Sequence, residues 1–257
     1  MTTTDLRVIH SSQQFSDTVA QHRQDAEAVF AYADKRKALF LTGTEAGSSK
    51  ANNDLQLALK AAAKKYGWSI NAHKFGDWVA LNLDLAELVE AGYSGPFIPG
   101  TTGINAKQGA HSPRGITWTT AKVPGAGTVT MGSVHYLTQR SIDAGKVNNQ
   151  PLADGIAAWG ADKGKGKRLA LINGDWNLDD ERRDVFLGKP FTTSWDELGK
   201  HPATHGVSKT RGSTIDACAS YNADRRVKAK SARSLDDSDL QLHSDHFAIE
   251  TVWSVSS

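Results

Sequence analysis

The chain has 257 residues, with 30 Lys plus Arg against 28 Asp plus Glu, 9 His and 1 Cys. At 39% apolar and 23% charged residues the composition is that of an ordinary globular protein, which excludes disorder, collagen-like repeats and coiled coil. One cysteine excludes an internal disulfide framework and a multi-cysteine zinc cluster, and a net charge of +2 is too small to argue for nucleic acid by itself. No run of about 18 apolar residues predicts a membrane span. The first residues, MTTTDLRVIHSS, have neither the basic start nor the apolar centre of a signal peptide, so a cytoplasmic protein is expected.

Leu6–Ile9 reads as a first strand. Between Asp17 and Lys37, the apolar residues Val19, Ala26, Phe30 and Ala33 recur at helical spacing, with Ser16 or Asp17 placed to cap the helix. Ala38–Thr42 is apolar enough for a buried strand and runs into Gly43-Thr44-Glu45. Leu55, Leu59, Ala62 and Tyr66 mark a second helix that Gly67 stops. Extended segments are predicted at Trp68–Asn71, Trp78–Leu83, Gly115–Lys122 and Thr128–His135. Gly92–Gly115, with six Gly and three Pro in 24 residues, is predicted to be one long loop. Residues 148–160 read as a helix, Leu169–Asn173 as a strand and 178–213 as loop-rich. Thr214–Ser220 and Phe247–Val255 complete the strands. With no internal repeat and no dividing linker, residues 1–257 are expected to form one domain of stacked sheets flanked by helices.

Several polar residues sit where these strands end. Glu45 ends a buried strand, where a lone carboxylate is costly without a cation or partner. His135 closes the strand Thr128–Val134 in the same way. Leu169–Asn173 runs into Gly174-Asp175-Trp176-Asn177, whose Asp and Asn are two apart and point to one side of an extended backbone. The same Gly-Asp-x-Asn also fits a plain turn. Asp216 interrupts the apolar run Thr214–Ala219, and Ser244-Asp245-His246 opens the last strand, where an Asp can orient the neighbouring imidazole.

In this order, LFLTGTE (39–45), GSVH (132–135), INGDWN (172–177), STIDACAS (213–220) and HSDHFAIE (243–250) resemble the endonuclease/exonuclease/phosphatase superfamily. The resemblance runs from about Leu6 to Trp253. It implies an α/β (α+β) fold, a deoxyribonuclease I-like four-layer sandwich of two mixed β-sheets with helices outside. It also implies a divalent cation, Mg²⁺ or else Mn²⁺, with Glu45, Asp175 and Asp245 as its ligands. The catalytic residues it implies are His135, Asp175, Asn177, Asp216, Asp245 and His246. In that set His246 acts on the water or on the phosphoryl group, Asp245 orients His246, and His135 contacts the phosphate. The family's first strand ends in an Asn; here the segment reads Val8-Ile9-His10-Ser11-Ser12-Gln13, so Ser11, Ser12 or Gln13 would have to take over its hydrogen bond.

The implied activity is metal-dependent hydrolysis of a phosphodiester by in-line attack of water, with DNA or RNA as the first choice of substrate and a monomer as the default. A small or lipid phosphoester is the alternative, as is an inactive binding member of the fold. Arg114 and Arg211 lie nearest the expected site and could meet a substrate phosphate, although a surface role is the simpler reading of each. Lys163–Arg168 has four cations in six residues and Arg225–Arg233 five in nine, but both should lie at the far ends of strands, roughly 17 Å from the metal, as solvated loops. Trp118, Trp176 and Trp195 fall near the site, where an indole can stack on a base; core packing is the commoner role.

Overall fold

The computed structural model describes residues 2–12, 18–46, 50–101, 111–145, 148–177, 191–208, 211–221 and 226–256, without the side chains of 50–53, 140, 144, 145, 207, 208 and 211. Strand β1 (Thr3–Ser12) leads through helix α1 (Val19–Lys35) to β2 (Phe40–Ala46), which lies parallel to β1. Helix α2 (Lys50–Lys65) then leads to the hairpin of β3 (Trp68–Ala72) and β4 (Gly76–Asn82). β5 (Glu87–Ile98), β6 (Arg114–Val123) and β7 (Gly127–His135) form an antiparallel meander in a second sheet. Helices α3 (Gln139–Gly145) and α4 (Gln150–Lys163) cross over to β8 (Leu169–Asp175), parallel to β7.

The remaining elements are β9 (Phe191–Thr193), α5 (Ser194–Leu198), the small pair β10 (His205–Ser208) and β11 (Arg211–Ser213), and β12 (Asp216–Tyr221). β13 (Val227–Leu235) and β14 (Ala248–Ser256) return to the first sheet. The strand orders are β13-β14-β1-β2-β4-β3 and β5-β6-β7-β8-β12-β9, six strands in each sheet. Both sheets are mixed, and helices lie on their outer faces. This is the four-layer sandwich that the motif order implies. Among the described residues no helix is long and apolar enough to cross a membrane.

Strand alternation sorts the residues into layers. Ile9, Leu41, Trp78 and Ala80 face Val29, Phe30, Leu55 and Leu59 of α1 and α2. Leu6, Val8, Phe40, Val79 and Leu81 face inwards, onto the second sheet. On the inward face polarity rises toward one end of β1, β7 and β8. Along β8 the row is Leu169, Leu171, Asn173, Asp175; along β7 it is Val129, Met131, Ser133, His135; along β1 it is Leu6, Val8, His10, Ser12. The polar rows bond across the gap. Asn173 Nδ2 donates to Thr42 Oγ1 at 2.8 Å, Thr42 Oγ1 meets His10 Nδ1 at 3.0 Å, and Ser133 Oγ donates to the Gly43 carbonyl at 2.9 Å.

Several expectations need correction. The cap of α1 is Thr18, in a capping box with Gln21; Ser16 and Asp17 lie outside the described residues. The expected loop Gly92–Gly115 begins inside strand β5, which continues through Gly92, Gly95 and Pro96 to Ile98. β5 is an edge strand, bonded on one side only, so Pro and Gly cost it little, and two bulges absorb the irregularity. Gly92 also has a packing reason, because a Cβ there would collide with the Trp118 ring. The second basic stretch is not a loop from Val227 onwards. It is β13, the opposite sheet's edge, with Lys230 paired to Asp5 and Arg233 to Asp239 and Glu250. Trp176 and Trp195 are core residues, while Trp118 carries Lys163 over its ring at 3.7 Å.

The polar bridge between the sheets generates a prediction. Thr42→Val keeps shape but removes the hydroxyl, leaving Asn173 Nδ2 and His10 Nδ1 buried without that partner. Urea unfolding should show a loss of about 1–3 kcal/mol; unchanged stability would mean the bridge contributes nothing.

Candidate active site

The polar ends of the inward rows meet at one end of the sandwich. Register places His135, Asp175 and Asp216 side by side, His135 opposite Asp175 on β7 and β8, and Asp216 opposite Asp175 on β12 and β8. From the other sheet come Ser12, Glu45 and the Ser244-Asp245-His246 segment that enters β14. Glu45 sits where the pairing of β2 with β4 slips between Gly43 and Ala46, at φ 69°. A left-handed backbone disfavours a long side chain by roughly 1–2 kcal/mol, so the bulge holds Glu45 there against its own preference. Gly43 is required for a different reason: a Cβ would strike the Ser11 carbonyl and the Trp78 ring.

Asn177 is also left-handed, at φ 49°. Its backbone N–H donates to Asp175 Oδ1 at 3.0 Å, and its Nδ2 donates to the Tyr136 carbonyl at 3.1 Å. Trp176 between them is fully buried and donates through Nε1 to the Ala217 carbonyl. The turn is thus anchored by its aromatic, and Asp175 is left facing the gap between the sheets.

The imidazoles are fixed by their partners. His246 Nδ1 lies 2.9 Å from Asp216 Oδ2, while its Nε2 lies 3.8 Å from Asp175 Oδ2 and 3.9 Å from Asp245 Oδ1. Asp216 therefore orients His246. Asp245 Oδ2 instead faces His205 Nε2 at 3.1 Å. His135 Nδ1 accepts from Arg114 at 3.2 Å, since a guanidinium can only donate. Its Nε2–H then faces Glu45 Oε1 at 3.3 Å and Asp175 Oδ2 at 3.6 Å. Arg114 is not a surface residue; it is half-buried behind His135. The Arg211 side chain lies outside the described residues.

Ser12 Oγ meets Thr44 Oγ1 at 2.8 Å, beside Glu45, at the end of the first strand; Gln13 lies outside the described residues. Three residues were not singled out by the sequence. His10 reaches Asp216 Oδ1 with Nε2 at 3.5 Å, and its only sequence signal was an imidazole inside an apolar strand. Asp77 is buried beside Trp78, within the field of Arg114 and Glu45. His205 lay in a segment read only as loop.

Among the described residues, the buried carboxylates at this end outnumber the cations beside them. Burial pushes the Asp175 carboxyl up to about 8; the His246 imidazolium works against this, while Asp216 and Glu45 reinforce it. Burial likewise raises Glu45, and it raises Asp77 to about 8. Burial opposes charge on His246 too, but Asp216 and Asp175 outweigh it and raise the imidazole to about 10. Asp216 is held below the usual carboxylate range despite burial, by His246 and His10. Burial and Arg114 keep His135 neutral, well below the ordinary imidazole value. Among the described residues Asp245 Oδ1 is a buried atom with no hydrogen-bond partner, whereas Asp216 Oδ1 has His10 Nε2 at 3.5 Å. Buried carboxylate oxygens of this kind suit a hard divalent cation; among the described residues the donor atoms of Asp175, Asp216 and His246 converge within 4.8 Å, as do those of His205, Asp245 and His246, and Glu45 belongs to neither group.

For the metal-free protein these shifts fix how stability varies with pH. A raised His246 stabilises fully below about 6.5, the ordinary imidazole value, and that contribution is lost as pH rises through about 10. A raised Asp175 costs progressively more as pH climbs from 3.8 to about 8, because only the unfolded chain ionises freely. Both slopes have the same sign. Melting temperature in EDTA should fall between pH 6.5 and 9.5, and Asp175→Asn should reduce the fall; a flat profile contradicts the assignment.

No family model matches the chain, and no curated protein matches it. Solved structures do. Zebrafish (D. rerio) TDP2, crystallised with a single-strand DNA product, has a TM-score of 0.70 at 15% identity over 97% of this chain and 98% of its own. The human nocturnin catalytic domain with bound sulfate has a TM-score of 0.72 at 11% identity, covering 98% of this chain and 95% of its own. A mannosyl-6-phosphatase of Bacteroides thetaiotaomicron has a TM-score of 0.65 at 16% identity, over 96% and 99%. An endonuclease/exonuclease/phosphatase family protein of the same organism has a TM-score of 0.69 at 15% identity, over the full length of both chains. The chain therefore has the fold of the endonuclease/exonuclease/phosphatase proteins.

Proposed function

We propose that the protein is a divalent-cation-dependent phosphodiesterase that hydrolyses nucleic acid by in-line attack of water. The observation that carries this reading is the Asp216–His246 pair set against Asp175 at the meeting of two sheets. With Nδ1–H committed to Asp216, His246 presents Nε2–H to the site as a charged donor. A cationic imidazole cannot take a proton from water, so its role is to stabilise charge on the phosphoryl oxygens. Asp175, with Oδ1 held by the Asn177 N–H and Oδ2 facing His246 Nε2 at 3.8 Å, is the carboxylate placed to receive the proton of the attacking water. The Asn177 backbone holds Asp175, and the Asn177 carboxamide is held in turn by Tyr136.

His135 is neutral and donates toward Glu45 and Asp175, so it positions carboxylates and does not meet the phosphate directly. Arg114 is a positioning residue for His135. Glu45, Asp175 and Asp245 would hold Mg²⁺ or Mn²⁺, which when bound would neutralise the phosphodiester oxygens that otherwise repel water. Likeness to a TDP2 bound to single-strand DNA product supports a nucleic acid substrate.

One observation favours a small phosphoester instead. The Lys163–Arg168 segment and Arg226 lie at the end of the sandwich opposite the site, where Arg226 donates to the carbonyls of Gly166 and Lys167, and Lys230 and Arg233 are paired with carboxylates along the β13 edge. Likeness to a mannosyl-6-phosphatase fits that second reading.

Cleavage of single-stranded DNA, plasmid and RNA, beside a chromogenic phosphodiester, separates these readings. Mg²⁺- or Mn²⁺-dependent cleavage of a polymer is expected, abolished by EDTA. Cleavage of the small ester alone would transfer the assignment to a small phosphoester, and a folded, metal-binding but silent protein would make it an inactive binder. His246→Ala should lower turnover roughly 10²–10³-fold while sparing metal binding. Glu45→Gln should weaken Mg²⁺ binding and turnover together, since an amide is a poor ligand for that ion. Parent-like rates in both variants contradict the site.

A further inference from the structure

Beside the carboxylate site lies a second group of donors with different chemistry. His205, Asp245 and His246 each offer one ligating atom, and the three atoms lie within 4.8 Å of one another. His205 Nε2 is 3.1 Å from Asp245 Oδ2, and His246 Nε2 is 3.9 Å from Asp245 Oδ1. An ion held tetrahedrally by bonds of about 2.0–2.1 Å places its ligand atoms roughly 3.3 Å apart; the three donor atoms, one from each residue and all within 4.8 Å of one another, reach that spacing by small side-chain movements. We propose that His205, Asp245 and His246 form a second cation site that takes a borderline ion of the Zn²⁺ class and, when filled, withdraws His246 from hydrolysis.

Three further features support it. First, His246 Nδ1–H is committed to Asp216, so coordination is through Nε2, whose proton the incoming ion displaces to solvent. A carboxylate behind an imidazole is the arrangement that orients metal-binding histidines and makes them better ligands. Second, the two histidines are tied together through the backbone. His205 forms a bridge with His246, Gly206 N–H donates to the Asp245 carbonyl at 3.1 Å, and Phe247 N–H donates to the Thr204 carbonyl at 2.7 Å. Their rings stand 4.8 Å apart at 65°, close enough to converge and not stacked face to face. Third, Asp245 Oδ1 is buried and has no hydrogen-bond partner, although the side chain as a whole is 39% exposed. A ligating atom is therefore available within reach of solvent.

Donor type separates this site from its neighbour. Two imidazoles and one carboxylate favour Zn²⁺, Co²⁺ or Ni²⁺, whereas Mg²⁺ prefers the oxygen-rich group of Glu45 and Asp175. The two sites share Asp245. An ion on His246 Nε2 occupies the nitrogen that would otherwise donate to the phosphoryl oxygens. The inhibitory half of the proposal rests on the hydrolytic reading above; the binding half does not.

The test is calorimetric titration of Zn²⁺ into the protein in excess Mg²⁺, with Co²⁺ absorption as the spectroscopic readout. One Zn²⁺ is expected per chain, with affinity reduced at least tenfold in His205→Gln and retained in Glu45→Gln. The visible Co²⁺ band should weaken in His205→Gln, whose thermal melt, run alongside, verifies that it is folded. Zn²⁺ should suppress Mg²⁺-dependent turnover, and about tenfold more should be needed in His205→Gln. Equal Zn²⁺ affinity in the parent and His205→Gln, or no binding once Mg²⁺ is present, overturns the site. Binding that depends on His205 but leaves turnover untouched overturns the inhibitory role alone. A protein silent on every substrate still reports through the titration and the Co²⁺ band.

Discussion

Everything at this end of the molecule depends on one electrostatic constraint: several carboxylates are buried between two sheets with few cations to meet them. The Asp216–His246 pair answers part of it, with the imidazolium held by hydrogen bond and charge. His10 supports Asp216 from the other sheet and is itself held by Thr42, which Asn173 reaches across the gap. Asp175 and Glu45 are left under-compensated, and their raised proton affinities register that deficit.

Glu250 gives the contrast within the same protein. It is as deeply buried as these residues, yet Arg7, Arg36 and Arg233 surround it and Tyr32 donates to it. That is a structural carboxylate whose charge is fully met, and no cation is needed to explain it. The group around Asp175 has the opposite character. The left-handed backbone of Glu45, held by the slip in pairing between β2 and β4, adds to the distinction.

Much of this was legible in the sequence, for a physical reason. A strand buried on both faces must bring its inward row from apolar to polar before it can end in a carboxylate, and Leu169-Leu171-Asn173-Asp175 shows that directly. His135 stood out as the polar end of an apolar strand, and Asp216 as a charge interrupting an apolar run. The choice of partner was not legible. Adjacency in the chain suggested Asp245 for His246, while the folded chain supplies Asp216 from 30 residues away. His10 and His205 were missed because each acquires meaning only from a residue on another strand. Gly92–Ile98 was read as loop because Gly and Pro count against a strand, and at a sheet edge that penalty largely disappears.

The central claim is that Asp216 holds His246 as a charged donor facing the site. Ring-resonance NMR titration of the metal-free protein measures this directly. The His246 resonances should titrate near pH 10, and in Asp216→Asn the midpoint should fall toward the ordinary imidazole value. A His246 midpoint at or below about 6.5 in the unaltered protein, the value of an unperturbed imidazole, would contradict the account.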